Sequence, residues 1–234
     1  MQRPIRYKSF LIYLGVASAA FTSQAEEVSL AGRQVKIPAP PGYCIANKTS
    51  DEKEVASRIA YGMGPNNKLL MYFVECKELA RVRAGTAGYT GSFNDYVVVG
   101  ALAPKGEIRA FDGVTRAQYL QLLSRDVAQD TKMEEGINRA MKRVREFGPG
   151  DQSVQNFGIL GSDENGAYMS IVTIGSPQDG TKGVEYSLSL GSLTLVKGLR
   201  LGYTAVRLSK STEDLPSMLS LIKAASATVV AANK

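Results

Sequence analysis

Residues 184–205 read VEYSLSLGSLTLVKGLRLGYTA and predict two antiparallel strands joined by a tight turn at Lys197-Gly198. Apolar and polar side chains alternate on both sides of the turn, as they do in strands that bury one face. The alternation changes phase after Gly191, so we expect a β-bulge at that glycine. The segment therefore indicates an antiparallel sheet.

Further strands are predicted before this segment. Leu69–Val74 and Tyr96–Ala103 are continuous apolar runs, which are typical of strands buried on both faces. Val154–Leu160 and Ala167–Ile174 flank the turn-forming sequence SDENG and predict a hairpin. Residues 28–37 predict another, shorter hairpin or a bent edge strand, because apolar and polar residues alternate around an Ala-Gly pair.

Helical periodicity is found in three places. The first predicted helix is short, the second is long and interrupted, and the third follows a capping-box-like STED sequence. They are Asp51–Tyr61, capped by Ser50 or Asp51; residues 115–147, where the apolar stripe changes phase between Ala128 and Met133; and Leu215–Val229.

The remaining segments complete a prediction of fold class. Arg81–Phe93 is rich in glycine and is predicted to be a loop, whereas Glu107–Phe111 is predicted to be a short strand. Strands that follow one another and then a long helix are typical of an α+β fold. We expect residues 26–234 to form a single α+β domain in which helices pack on one or both faces of an antiparallel sheet.

Two resemblances carry expectations about fold and role. The order of elements in the second half of the chain resembles the α/β/α sandwich of the PsbP-like group, named for an extrinsic photosystem subunit. Ile37–Cys44, which reads IPAPPGYC, resembles the start of a group of exported Gram-negative proteins. Both resemblances imply an accessory or binding role in the cell envelope, and neither implies catalytic residues.

The N-terminal segment has the pattern of a secretory signal peptide. Basic residues precede the apolar run Phe10–Phe21, whose 12 residues fall short of the roughly 20 that span a membrane. The small–x–small sequence that ends at Ala25 predicts cleavage between Ala25 and Glu26. Residues 1–25 are therefore predicted to be a signal peptide, the mature chain to have no transmembrane segment, and the location to be the periplasm, or alternatively the exterior.

Charge gives little support to a nucleic-acid partner. The chain has 28 basic and 22 acidic residues, but three of the basic residues belong to the predicted signal peptide. The excess of basic residues in the mature chain is therefore three, which is too small to indicate a nucleic-acid-binding surface.

The two cysteines, Cys44 and Cys76, are predicted to form a disulfide. An even number of cysteines in an exported chain favours a structural bond. A redox-active pair is the alternative, but such pairs usually lie two residues apart at the start of a helix. Neither cysteine is predicted to begin a helix.

The absence of histidine narrows the possible chemistry. It excludes histidine-dependent catalysis, and with both thiols oxidised only hard oxygen ligands would remain, so we expect no cofactor and no transition metal. Acid–base work would then depend on carboxylates, of which adjacent pairs occur at Glu134-Glu135, Asp163-Glu164 and Glu213-Asp214.

A basic cluster is a candidate surface for an acidic partner. Such a partner would be an anionic lipid headgroup, a polyanionic glycan or an acidic protein. The alternative is that the cluster complements the dipole at the end of a solvated helix. The cluster consists of Arg139, Lys142, Arg143 and Arg145.

Two hypotheses of function follow. The first is an exported, non-enzymatic accessory or binding protein that contacts another envelope component. The second is a periplasmic hydrolase that depends on carboxylates. Two acids facing each other in an enclosed cleft would favour the hydrolase, and an open apolar patch would favour the binding protein.

Overall fold

The computed structural model describes residues 25–86, 93–124, 153–175, 185–209 and 211–234, together with positions 135, 137, 138, 141 and 142. Within these residues the chain forms an antiparallel sheet with helices packed on it. The strands are β1 (Ala25–Leu30), β2 (Arg33–Pro38), β3 (Tyr43–Ile45), β4 (Asn67–Glu75), β5 (Asp95–Leu102), β6 (Ser153–Ser162), β7 (Ala167–Gly175), β8 (Glu185–Val196) and β9 (Leu199–Ser209). The helices are α1 (Ser50–Gly62), α2 (Cys76–Arg83), α3 (Arg116–Ser124) and α4 (Leu215–Ala232).

Seven strands form one sheet in the order β3-β4-β5-β9-β8-β7-β6, and β1 and β2 form a separate hairpin. Every neighbouring pair is antiparallel. The turn between β8 and β9 is the predicted Lys197-Gly198, where both residues have positive φ, 48° and 74°. Two positive φ values are what a two-residue hairpin turn requires, because they match the twist of the strands.

The two faces of the sheet are distinguished by alternation along each strand. We call the face that carries Phe73, Val99 and Tyr203 the first face, and the face that carries Tyr72, Val98 and Leu195 the second face. Helices pack on both faces, as the α+β prediction allowed.

The first face carries the larger core. Helix α4 and the β1–β2 hairpin cover it, and Ile137 packs there as well. The apolar stripe of α4 is buried against β8, β9 and β2. It consists of Leu215, Met218, Leu219, Ile222, Ala225, Val229 and Val230.

The second face is covered in two separate places. At one end of the sheet, Val55 of α1 and Leu79 of α2 pack against Tyr72 and Val74. At the other end, Tyr119 and Leu120 of α3 pack against Ala167 and Leu195. The middle strand β9 stays half-exposed on this face, so a gap remains between the two helical groups.

Within the described residues, one segment is long and apolar enough to cross a membrane by length and composition. It spans Thr212–Ala232, with a mean hydropathy of 1.5, and contains α4. In the structure α4 packs on the first face of the sheet.

Several predicted elements are confirmed, with small shifts of boundary. The helix predicted at Asp51–Tyr61 is α1, but its N-cap is Thr49 rather than Ser50 or Asp51, because the Thr49 hydroxyl accepts from the Glu52 N–H. The long helix predicted over 115–147 begins as α3, and its expected interruption lies outside the described residues.

The predicted bulge at Gly191 is wrong. Strand β8 pairs without interruption with β7 and β9 through this position. The apolar phase changes because both faces are covered here. Leu195 lies under α3 on the second face, whereas Ser192 lies under α4 on the first, where its hydroxyl hydrogen-bonds that of Ser226 at 2.7 Å.

Two other local predictions are wrong. Arg81–Arg83, predicted to be part of a loop, is the last turn of α2, whose buried side chain is Leu79. Residues 87–92 of that predicted loop lie outside the described residues. Glu107–Phe111 is not a strand, and the Phe111 N–H donates to Gly198 O at the β8–β9 turn.

Candidate functional site

The predicted disulfide between Cys44 and Cys76 is confirmed. It closes a sequence separation of 32 residues and joins edge strand β3 to the start of α2. The expectation that neither cysteine begins a helix is wrong, because Cys76 is the first residue of α2. The signal for this helix is Glu75, whose carboxylate caps it by accepting from the Glu78 N–H at 2.7 Å.

A buried ion pair lies beside the disulfide. The Glu52 side chain is 1% exposed and accepts two hydrogen bonds from Arg83, at 2.7 and 2.9 Å. Its second oxygen also accepts from the Lys48 N–H at 2.7 Å. Burial opposes ionisation of Glu52, but the hydrogen bonds outweigh it, so the pKa of Glu52 is lowered. The pair fixes α2 against α1, at one side of the gap on the second face.

The gap itself is a cleft of about 220 Å³. It lies on the second face where β5, β9 and β8 run side by side, with the end of α1 on one side. Its lining is mostly apolar and contains one charged residue. The lining residues are Met63, Asn67, Val98, Gly100, Ala101, Leu102, Leu193, Arg200, Gly202 and Thr204.

Two paired glycines form the floor of the cleft. Gly100 of β5 lies directly opposite Gly202 of β9, so both point to the second face without a side chain. A Cβ at Gly100 would collide with the methyl group of Met63, which lies over the glycine. A Cβ at Gly202 would touch Leu193. The missing side chains therefore create the depth of the cleft and let Met63 reach into it.

Polar groups are concentrated near Arg200. No carboxylate of the described residues forms an ion pair with this half-buried arginine. Tyr119 of α3 is 6% exposed, and its hydroxyl has no hydrogen-bond partner in the described part of the chain. Burial raises the pKa of the Tyr119 phenol, and the positive charge of Arg200 opposes part of that rise. Tyr119 packs in one cluster with Leu195, which lies directly opposite Arg200 in the β8–β9 pair.

No protein-family model matches the chain, and no curated protein is similar to it. The geometry of the cleft is therefore the basis for a functional proposal.

The adjacent acidic pairs do not line the cleft where the structure describes them. Asp163 accepts from the N–H groups of Asn165 and Gly166 and from the Tyr168 hydroxyl, as a turn residue. Asp214 accepts from the Ser209 hydroxyl at the start of α4. Glu135 is exposed, and Glu134 lies outside the described residues. Among described residues, no three metal-binding side chains lie together.

Other predicted site residues are only partly covered by the structure. Lys142 is helical and exposed, whereas Arg139, Arg143 and Arg145 of the basic cluster lie outside the described residues. At the predicted cleavage site, Ala25 pairs with Pro38 and Glu26 with Ile37 at the beginning of the hairpin.

Sequence reasoning missed the cleft, although the chain contains one signal for it. Gly100 and Gly202 both interrupt apolar strands, and a glycine inside a strand often marks close approach of a ligand or another chain segment. The two glycines lie opposite each other because of the register between β5 and β9. The register between strands that are far apart in the sequence cannot be recognised from the sequence.

Proposed function

We propose that the protein is an exported, non-catalytic binding protein of the Gram-negative cell envelope, and that the cleft on the second face is its binding site. The observation that carries the proposal is the open, mainly apolar cleft between the two helical groups, with Arg200 as its charged lining residue. Apolar concavities with a few polar groups are the usual form of ligand sites. The partner is another envelope component.

The chemistry of the lining favours binding over hydrolysis. A carboxylate-dependent hydrolase needs two acids on either side of the reacting bond. No acid is found among the described residues that line the cleft. Among the described residues, Asp95 and Asp214 both contact Arg207, at 2.8 and 3.6 Å, and so form a structural ion network.

Export is supported by three observations. The N-terminal pattern is that of a signal peptide. The Cys44–Cys76 disulfide is compatible with an oxidising compartment such as the periplasm. The IPAPPGYC segment resembles that of exported Gram-negative proteins.

The proposal is tested by filling the cleft. Thr204 is a half-exposed residue of the lining, and tryptophan in its place would occupy the space above Gly202. Thr173 of β7 is an exposed threonine on the same face but outside the lining, so Thr173→Trp is the matched control. Tagged mature protein is used to recover components from an envelope extract.

We expect one component to co-purify with the wild type and with Thr173→Trp, and to be lost with Thr204→Trp. Far-ultraviolet circular dichroism and a thermal melt verify that both variants fold. Recovery of the same components by all three proteins would overturn the assignment of the cleft as the binding site.

A further inference from the structure

The cleft is polar at one end and apolar along its floor. Arg200, Gly202 and Thr204 follow one another along the second face of β9 and span about 13 Å, at about 3.3 Å per residue. Arg200 lies at one end, near Tyr119, and the floor continues over the Gly100–Gly202 pair towards Val98 and Met63. Among the described lining residues, a ligand that follows this groove meets a charge at the Arg200 end and the neutral Thr204 hydroxyl at the other end.

The polar end is suited to an anion. The Arg200 guanidinium presents two parallel N–H donors of the kind that bind a carboxylate. Its charge has no acidic partner in the described ranges. The Tyr119 hydroxyl does not add a donor to this end, because it is buried and Tyr119 is not among the lining residues of the cleft. A carboxylate that enters the cleft therefore relies on Arg200.

The size of the cleft limits the ligand. Its 220 Å³ is below the roughly 300–1,000 Å³ typical of sites for drug-sized molecules. The group that enters it is therefore small, with an apolar body no larger than a short alkyl chain or one amino-acid side chain.

We propose that the cleft binds a carboxylate attached to a short apolar group, with the carboxylate on Arg200 and the apolar group over Gly202, against the Met63 side chain that covers Gly100. This inference rests on the proposed binding function of the cleft and specifies its ligand chemistry. The carboxylate can come from a free aliphatic acid or from the C-terminal residue of a protein.

The test is calorimetric titration of the mature protein with two probes. Octanoate represents a free acid, and N-acetyl-leucine represents a chain terminus. Octylamine and N-acetyl-leucinamide have the same apolar groups without the negative charge. We expect at least one carboxylate to bind and both uncharged or cationic analogues to bind about ten-fold more weakly or worse. The carboxylate that binds more tightly identifies the source.

Variants test the assigned residues. Arg200→Gln is expected to weaken carboxylate binding about ten-fold or more, whereas Arg200→Lys retains part of it. Arg109→Gln is the matched control, because Arg109 is 70% exposed and pairs only locally with Glu107.

Failure of this inference differs from failure of the proposed function. If Thr204→Trp abolishes capture of an envelope component but neither carboxylate binds, the ligand chemistry is wrong and the binding site stands. If a carboxylate binds the wild type and Arg200→Gln equally, the role of Arg200 is wrong. Binding of octylamine as tight as that of octanoate would also overturn the preference for an anion.

Discussion

Asn233 pairs through its side-chain amide with both backbone groups of Lys36, as if it were a residue of a neighbouring strand. The Lys36 N–H donates to Asn233 Oδ1 at 2.9 Å, and Asn233 Nδ2 donates to Lys36 O at 2.7 Å. Nδ2 also donates to Val229 O at 2.8 Å. The end of α4 is thereby fastened to the β1–β2 hairpin.

Replacing Asn233 is therefore expected to loosen the hairpin. Asn233→Ala leaves the part-buried backbone groups of Lys36 without their side-chain partner and is expected to lower the free energy of unfolding by about 1–2 kcal/mol in urea denaturation. Asn233→Asp is expected to destabilise as well, because a carboxylate accepts from Lys36 N–H but cannot donate to Lys36 O. Lys234→Ala is the control, and an equal effect of Lys234→Ala and Asn233→Ala would contradict the prediction.

The Glu52–Arg83 pair predicts a stability difference between wild type and Glu52→Gln. Loss of the charged hydrogen bonds is expected to lower the free energy of unfolding by about 2–3 kcal/mol at pH 7. The exposed pair between Glu54 and Arg58 is the control. Glu54→Gln is expected to cost about 0.5 kcal/mol or less, as surface pairs of this spacing do.

The same pair predicts a pH dependence. The pKa of Glu52 is lower in the folded protein than in the unfolded chain, where it is about 4.3. As the pH falls, the Glu52 carboxylate is therefore protonated in the unfolded chain at a higher pH than in the folded protein. The stabilisation by the ion pair is complete above the pKa of the unfolded chain and is lost as the pH falls through the lower pKa of the folded protein. Urea denaturation between pH 7 and pH 3 should show the difference between wild type and Glu52→Gln decreasing. A difference that stays constant down to pH 3 would refute the ion-pair contribution.

Reduction of the Cys44–Cys76 disulfide is expected to destabilise the protein. For a loop of this length, the model in which the bond restricts the unfolded chain gives about 3–4 kcal/mol. Thermal melts with and without dithiothreitol measure the effect. A Cys44→Ala/Cys76→Ala variant should melt at the temperature of the reduced wild type, and dithiothreitol should not change its melting temperature. Equal melting temperatures of the oxidised wild type and this variant would show that the bond has no stabilising role.

A side chain at position 198 is expected to lower the free energy of unfolding. Its φ of 74° is left-handed, and a Cβ there would collide with Arg33 Nη1. Gly198→Ala should lower the free energy of unfolding by about 1–2 kcal/mol from the backbone conformation alone. Gly175 has open space and ordinary φ, so Gly175→Ala is the control. Addition of Arg33→Ala to Gly198→Ala should relieve the collision, so the double variant should lose less stability than the sum of the two single variants. Strictly additive losses would contradict the collision with Arg33.

Cleavage of the signal peptide predicts the mass of the exported protein. Intact mass spectrometry of the envelope fraction should find residues 26–234, with Glu26 as the N-terminal residue. Ala25→Leu should slow processing because the cleavage site requires a small residue, whereas Glu27→Gln should not. A full-length mass with retention in the membrane would indicate an uncleaved anchor.

The fold class was accessible from the sequence because each strand carries its own local signal. The alternation around Lys197-Gly198 and the apolar run Leu69–Val74 reflect the environment of single strands. Helix α2 was missed because it is short and buries one side chain, Leu79, so it has no apolar stripe to recognise.

The cleft was not accessible for a different reason. Met63, Gly100 and Arg200 lie on different elements, and their proximity depends on the β5–β9 pairing, which joins strands about a hundred residues apart in sequence. Each of the three is ordinary in its local context. The misread Gly191 has the same origin, because coverage of both faces by α3 and α4 is a property of the assembled sheet.

Alternate residues of β9 face two different environments and are therefore subject to different evolutionary constraints. Leu199, Leu201 and Tyr203 face the large core under α4, while the residues between them, Arg200 and Gly202, face the cleft. Substitutions at the second set change the depth and charge of the cleft without altering the packing of the first. Related chains could therefore diverge in what they bind while keeping the same scaffold, and an engineer could change the ligand preference by replacing side chains at alternate positions of one strand.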